Sequence, residues 1–452
     1  MTKKKINREV SGSFQDTFAK SVKAAKFFGR ENMDDTTVKT ITFQVTENCN
    51  LCCTYCYQIN KSKKVLALED AKKFIDMLIE ESYDENSSFY IKKTPAVVIE
   101  FIGGEPLLET KLIREIINYF TFRCINEKHP WAINHMVSMI SNGVSYFSKD
   151  TEKMLSESEK KISFSISLDG NKELHDACRV FSNGDGSYDI AEKASLDYMS
   201  RYNEDMSTKL TISPYNIKYT FDAIINLSNL GYRNIYANCV YEEGWELYHA
   251  KILYKELKKV ADYFLENDLE NTKRVSLFSA GRYKPVHEQD NQNYCGSTGS
   301  MICLTPNGTI TPCIRFTKSS LGESLGDFSI GSLCSGIGKE DVHKKNILAL
   351  NSVTRREQST DECWNCPVGV GCGWCTALNY QETGSISKRV THICWMHRAA
   401  SLANVYYWNK VYKKNNEDDI FEMHLPKDIA LNIIDEEEYN MLLELTKFRD
   451  NE

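Results

Sequence analysis

The sequence predicts an α/β protein: a partial (β/α)6 barrel followed by a small cysteine-rich domain. Three observations carry this expectation. From about residue 39 to 245, strand-like apolar runs alternate with helical patterns, and such alternation builds a parallel sheet. The run Ala96 to Ile102 is almost wholly apolar, as a strand buried on both faces should be. After about residue 281 the composition changes, and seven cysteines fall at defined spacings.

The chain has 452 residues, enough for two or three domains. The expected division is an N-terminal arm at 1–38, a core at 39–280, a cysteine-rich domain at 281–400 and a helical extension at 401–452. Apolar residues make up 42%, ordinary for a globular protein. A net charge of -7 argues against a nucleic-acid partner, which calls for a basic surface. The basic start, Met1-Thr2-Lys3-Lys4-Lys5, is followed by no apolar run, so no signal peptide is read. No stretch is long and apolar enough to predict a membrane span. Sixteen cysteines in such a chain point to metal or cluster ligation in a reducing cytoplasm, not to disulfides.

In chain order, Phe14 to Phe28 has weak helical periodicity and is expected to pack as an arm. Ile41, Phe43 and Val45 alternate as the first strand. Further strands are expected at Ala96–Ile102, His135–Ser141, Lys161–Leu168, Leu210–Ser213 and Asn234–Val240. Helices are expected near 69–82, 110–127, 149–158, 188–202 and 216–230. In the second of these, Leu112, Ile113, Ile116, Ile117 and Phe120 share a face. Gly231 is placed to cap the last. Motifs fall at the C-terminal ends of the strands, where parallel barrels carry their sites. The aromatic stripe Tyr406, Tyr407, Trp408 and Tyr412 reads as packing against the cluster domain. Asp435-Glu436-Glu437-Glu438 reads as a solvated helix start.

Directly after the first strand, Cys49, Cys53 and Cys56 stand at C-x3-C-x2-C spacing. Three thiolates on one loop can hold three irons of a [4Fe–4S] cluster and leave the fourth open. This stretch resembles the signature of the radical S-adenosylmethionine (radical SAM) enzymes. Gly103-Gly104-Glu105-Pro106, one βα unit later, resembles the family segment that binds the amino group of SAM. The resemblance implies further contacts to SAM from Tyr55 on adenine, from Ser141 and Asn142, from Ser167 and Asp169, and from Arg179 on the carboxylate. Ser213 and Val240 are further candidates to line that site. Bland readings of these residues are helix caps and surface ion pairs. Cys52 lies off the spacing, and Cys124, Cys178 and Cys239 read as small core residues.

The later cysteines resemble the SPASM domain, which carries two auxiliary [4Fe–4S] clusters. The resemblance assigns Cys295, Cys313 and Cys375 to auxiliary cluster I. It assigns Cys363, Cys366, Cys372 and Cys394 to auxiliary cluster II. Gly373-Trp374 makes the spacing before Cys375 one residue shorter than the family's. Paired CxxC motifs also make structural zinc sites. Cys303 and Cys334 are candidates for a fourth ligand of cluster I. Pro306-Asn307-Gly308-Thr309 reads as a two-residue hairpin turn. That register pairs Cys303 with Pro312 and turns Cys303 away from Cys313, which leaves one iron open for a substrate thiolate.

Gly371-Cys372-Gly373-Trp374-Cys375 and Trp395-Met396-His397-Arg398 resemble maturases of Cys-repeat ribosomal peptides. The expected function is thioether crosslinking of a Cys-containing precursor peptide with SAM and three [4Fe–4S] clusters, fed by a flavodoxin or ferredoxin. The implied route is reductive cleavage of SAM to a 5′-deoxyadenosyl radical, which takes a hydrogen from the peptide. Formylglycine formation, carbon–carbon crosslinking and a non-catalytic Fe–S peptide-binding role are the alternatives. No catalytic acid or base is assigned.

Overall fold

A computed structural model describes residues 37–157, 162–293, 295–322, 324–326 and 328–447. The expected helix at Phe14–Phe28 lies outside the described residues. The organising strand is β1 (Val38–Thr46), which pairs in parallel with β2 (Ala96–Gly103) on one side. Its Ile41, Phe43 and Val45 point to the outer core, where Phe43 meets Phe74 edge-on at 5.6 Å. Thr42 faces the other way and donates to Glu100 Oε2 at 2.7 Å. This alternation gives the barrel an apolar outer layer and a polar interior.

The βα units follow in the expected order. Helix α1 (Leu68–Glu81) buries Ala71, Phe74, Ile75, Leu78 and Ile79, a stripe at helical spacing. Its first turn carries Glu69 and Asp70, which suit the positive end of the helix dipole. Helix α2 (Thr110–Asn126) buries Ile113, Ile116, Phe120 and Cys124. Strands β3 (His135–Ser141) and β4 (Ile162–Ile166) extend the parallel sheet, with α3 (Lys149–Glu157) between them. Then come α4 (Tyr188–Arg201), β5 (Thr208–Ile212), α5 (Thr220–Asn229) and β6 (Asn234–Cys239). Gly231 closes α5 with φ +102°, a conformation that only glycine takes freely.

The barrel departs from a plain six-unit ring. Between β4 and β5 the ladder is interrupted, and Thr208 Oγ1 spans the gap by donating to the carbonyls of Ile166 (3.3 Å) and Leu168 (3.2 Å). After the long helix α6 (Leu247–Glu266), a short β7 (Arg274–Val275) adds to β6. Strand β8 (Met301–Leu304), in the cysteine-rich part, pairs in parallel with the free side of β1. The main sheet therefore runs β11-β10-β9-β8-β1-β2-β3-β4, where β9 is Thr309–Thr311, β10 is Gly331–Ser332 and β11 is Gly336–Ile337. The cysteine-rich residues continue the barrel sheet.

Helix α7 (Cys394–Asn415) crosses the expected boundary at residue 400. Its aromatic stripe packs largely on the core and less on the cluster region. Tyr406 donates to Asp262 of α6 at 2.5 Å, and Tyr407 stacks on Phe278 at 4.2 Å. Asp435 caps the helix Glu436–Leu445 by accepting from Glu438 N at 2.8 Å, as the acidic run implied.

Candidate active site: a cysteine loop and a shared cavity

The loop after β1 is held from two sides. Its Cys52 and Thr54 amides donate to the carbonyls of Val180 (2.7 Å) and Cys178 (3.0 Å). The Gly104 and Glu105 amides donate to the carbonyls of Thr46 and Asn48, each at 2.9 Å. A Cβ on Gly103 would sit 2.6 Å from Thr46 O, and one on Gly104 would sit 2.3 Å from Asn48 O. The glycine pair thus lets two loops touch backbone to backbone. Cys49, Cys53 and Cys56 are half-buried and line one wall of a cavity of about 1060 Å³. Burial pushes the Cys53 thiol up to about 11 and raises Cys49. Burial alone would lower Lys61, but Cys56, Cys49 and Cys53 outweigh it and raise its pKa.

Glu105 is buried at the mouth of the next turn. Its Oε1 accepts from Leu107 N (3.0 Å) and Ser141 Oγ (2.7 Å), and its Oε2 accepts from Asn142 N (2.7 Å). Burial raises its pKa, and these three donors pull it back. Asn142 Nδ2 donates to Asn50 Oδ1 at 2.7 Å and lies 3.8 Å from Cys49 Sγ.

Asp169 does not face the cavity; it is fully buried. Its Oδ2 accepts from Arg179 Nε (2.7 Å) and from the Tyr55 hydroxyl. Its Oδ1 accepts from Thr211 N at 2.9 Å. The Arg179 guanidinium also lies 5.5 Å from the Tyr55 ring centroid. Arg179 therefore already has an internal carboxylate. His175, which sequence reasoning passed over, orders this corner: its Nδ1 accepts from Asp169 N at 3.1 Å and its Nε2 meets Ser187 Oγ at 2.9 Å. Burial pushes His175 down to about 3, so the ring is neutral.

Tyr55, Gly103, Gly104, Glu105, Ser141, Asn142, Ser167, Arg179 and Val240 join the three cysteines in the cavity wall. Lys209 of β5 lines it too, without a hydrogen bond or ion pair among the described residues. Burial lowers its pKa, and Arg179 and Arg315 act in the same direction. Arg315 pairs with Glu242 and lies 4.5 Å over the Tyr57 ring. A lysine at an inward position of a core strand was the available signal for Lys209.

The later cysteines fall into two groups. The free thiols of Cys295 and Cys375 are within hydrogen-bonding reach of each other, and Cys313 is close enough to Cys295 to be raised further by it, after burial. Cys394 is pushed up to about 12 by burial, then by Cys372, Cys363 and Cys366. Burial would raise Cys372, but His397 and Arg389 outweigh it and bring the thiol down to about 6.

The hairpin register differs from the expectation. Cys303 pairs with Thr311 and Leu304 with Ile310, and Thr305 N donates to Thr309 O. The loop is the three residues Pro306, Asn307 and Gly308, with Gly308 at φ +75°. One extra loop residue reverses the facing. Cys303 and Cys313 lie on the same side, and the thiol of Cys303, raised first by burial, is raised again by Cys313. Cys334 is exposed.

Among the described residues, no three His, Cys, Asp or Glu side chains converge as tightly as a single metal ion needs. The cysteine groups are more open, and thiolate-only sets of this kind suit iron–sulfur clusters.

A family model described as a 4Fe-4S single cluster domain matches residues 38–177. An uncharacterized protein of Methanocaldococcus jannaschii is 27% identical over 281 residues, 61% of this chain and 85% of that one. The antilisterial bacteriocin subtilosin biosynthesis protein AlbA of Bacillus subtilis is 22% identical over 342 residues, 74% of this chain and 66% of its own length. The solved structure of native anSMEcpe with bound AdoMet and Cp18Cys peptide superposes with a TM-score of 0.59 at 15% identity, covering 83% of this chain and 99% of that one. That likeness is one of fold.

The open barrel, the three-cysteine loop at its strand ends and the second cysteine region together have the arrangement of an iron–sulfur protein, in keeping with the matched 4Fe-4S domain. In its cysteine spacings and fold the chain is similar to radical SAM peptide-modifying enzymes. Among the described residues no helix is long and apolar enough to cross a membrane.

Proposed function

We propose that this enzyme installs thioether crosslinks in a Cys-containing precursor peptide. The observation that carries the reading is the shared cavity. Its wall joins the Cys49/Cys53/Cys56 loop to Gly371, His397 and Arg315 of the cysteine-rich region. A peptide segment in that space would meet both chemistries. Among the described residues the wall holds no aspartate, the base that formylglycine formation calls for.

In this reading Cys49, Cys53 and Cys56 hold the first of three [4Fe–4S] clusters. Glu105 receives the SAM ammonium, and Ser141, Asn142, Ser167, Tyr55 and Arg179 orient the rest of SAM. Cys363, Cys366, Cys372 and Cys394 hold auxiliary cluster II. Cys295, Cys313 and Cys375 hold auxiliary cluster I, with Cys303 as the fourth ligand. The bound cofactors supply a radical that abstracts hydrogen and a sink for one electron. The protein orients the peptide, excludes water and keeps Arg179 charged through Asp169. Closing a carbon–sulfur bond takes from the peptide one hydrogen atom, one thiol proton and one electron. A flavodoxin- or ferredoxin-type donor supplies the initial electron.

The test is incubation of the reduced enzyme with SAM and a candidate Cys-rich peptide, read by mass and fragmentation. The expected product has lost two hydrogens per crosslink, and its crosslinked cysteines no longer react with alkylating reagent. An unchanged mass with deoxyadenosine released would overturn crosslinking of that peptide.

A further inference from the structure

Trp374 occupies the shortened spacing between Cys372 and Cys375. Arg389 lies over its ring at 3.5 Å and Arg355 at 5.0 Å. Arg389 Nη2 donates to Gly373 O at 2.8 Å, and Gly373 N meets His397 Nε2 at 3.4 Å. Gly373 leaves no room for a side chain, because a Cβ would lie 2.7 Å from the Tyr241 ring. The segment is therefore held rigidly from three directions. Yet Trp374 Nε1 and Arg389 Nη1 are buried with no hydrogen-bond partner among the described residues.

Buried donors left unsatisfied are costly, and native proteins rarely carry them without a reason. Here two such donors, one of them cationic, belong to Trp374, two residues after Cys372, and to Arg389, which lies over its ring. Sulfur atoms of a cluster are the acceptors such a place would offer. Donors to cluster sulfur withdraw electron density from iron and favour the reduced state.

We propose that Trp374 and Arg389 are positioning residues that donate N–H bonds to the cluster held through Cys372, making it the more easily reduced auxiliary cluster. It is then the final store for the electron that leaves the peptide. The inference rests on the proposed function only in requiring that the auxiliary clusters are bound.

The experiment is an EPR-monitored redox titration of the reconstituted full chain, comparing wild type with Trp374→Phe, Arg389→Gln and Arg389→Lys. Trp374→Phe keeps the ring and removes only the N–H. One auxiliary midpoint should move to lower potential in Trp374→Phe and further in Arg389→Gln, with Arg389→Lys between wild type and Arg389→Gln. The midpoint of the first-loop cluster should stay. Full iron content with unmoved midpoints in Trp374→Phe and Arg389→Gln would overturn the inference. If Arg389→Gln loses iron, Trp374→Phe decides: an unmoved midpoint, or no loss of an exchangeable-proton coupling at the reduced cluster, sinks the proposal. Wild-type protein without auxiliary iron would instead sink the proposed function.

Discussion

Cys303 stands opposite Thr311 in the β8–β9 ladder, which puts its thiol on the side that Cys313 also takes. In the proposed reading this placement makes Cys303 the candidate fourth ligand of the cluster assigned to Cys295, Cys313 and Cys375. A cluster ligated by all four would have no iron free to hold a substrate thiolate, and its role would be electron transfer. Replacing Cys303 with Ala should cost about one cluster, roughly four irons per chain. Iron and sulfide analysis of the reconstituted variant checks this. Full iron retention would return the open-iron alternative.

Asp169 and Arg179 are a buried pair, so removing one partner strands the other. Asp169→Asn should destabilise the fold by about 3–5 kcal/mol, the usual cost of an uncompensated buried charge. Arg179→Met should cost a similar amount. The double variant should cost less than the sum of the two, because neither charge is then left alone. Thermal or denaturant unfolding of the four proteins gives the coupling. Strictly additive losses would show that the pair does not act as a unit.

Gly104 is the tightest contact between the glycine pair and the cysteine loop. Gly104→Ala places a carbon against the backbone of Asn48, and backbone cannot swing aside as a flexible side chain can. The loop has to move, and Cys49 with it, since Cys49 Cβ would lie 2.9 Å from the new carbon. The variant should fold yet bind the first cluster poorly. Loss of that cluster's EPR signal, with the auxiliary signals kept, is the expected result.

Much of the core was legible because local rules governed it. The expected strands Ala96–Ile102, His135–Ser141 and Asn234–Val240 match β2, β3 and β6 to within one residue. The pairing of β8 with β1 was not legible, since it joins positions about 260 residues apart and leaves no period in either segment. The Asn307-Gly308 turn was read one residue too short, because the same dipeptide serves two- and three-residue loops, and that single residue decides which way Cys303 faces. Asp169 was read as a SAM contact from its place after β4. Only the fold reveals that Arg179, ten residues on, turns back to claim it.

His175 gives the Asp169 corner a pH dependence whose sign follows from burial. Its ring is neutral in the folded state, with a pKa near 3, against 6.5 when exposed. Folding therefore favours the neutral form. The stability this represents is fully present above pH 6.5 and is lost as pH falls from 6.5 towards 3. Between pH 7 and pH 5 the loss from this group alone is about 2 kcal/mol. His175→Asn keeps an acceptor for the Asp169 amide but cannot titrate. It should be less stable than wild type at pH 7, because Ser187 loses a partner, yet its stability should fall less steeply towards pH 5. Denaturant midpoints at pH 7, 6 and 5 separate the two slopes. Parallel slopes would mean that His175 takes a proton as easily in the folded chain as in the unfolded one, which its complete burial between Asp169 and Ser187 argues against.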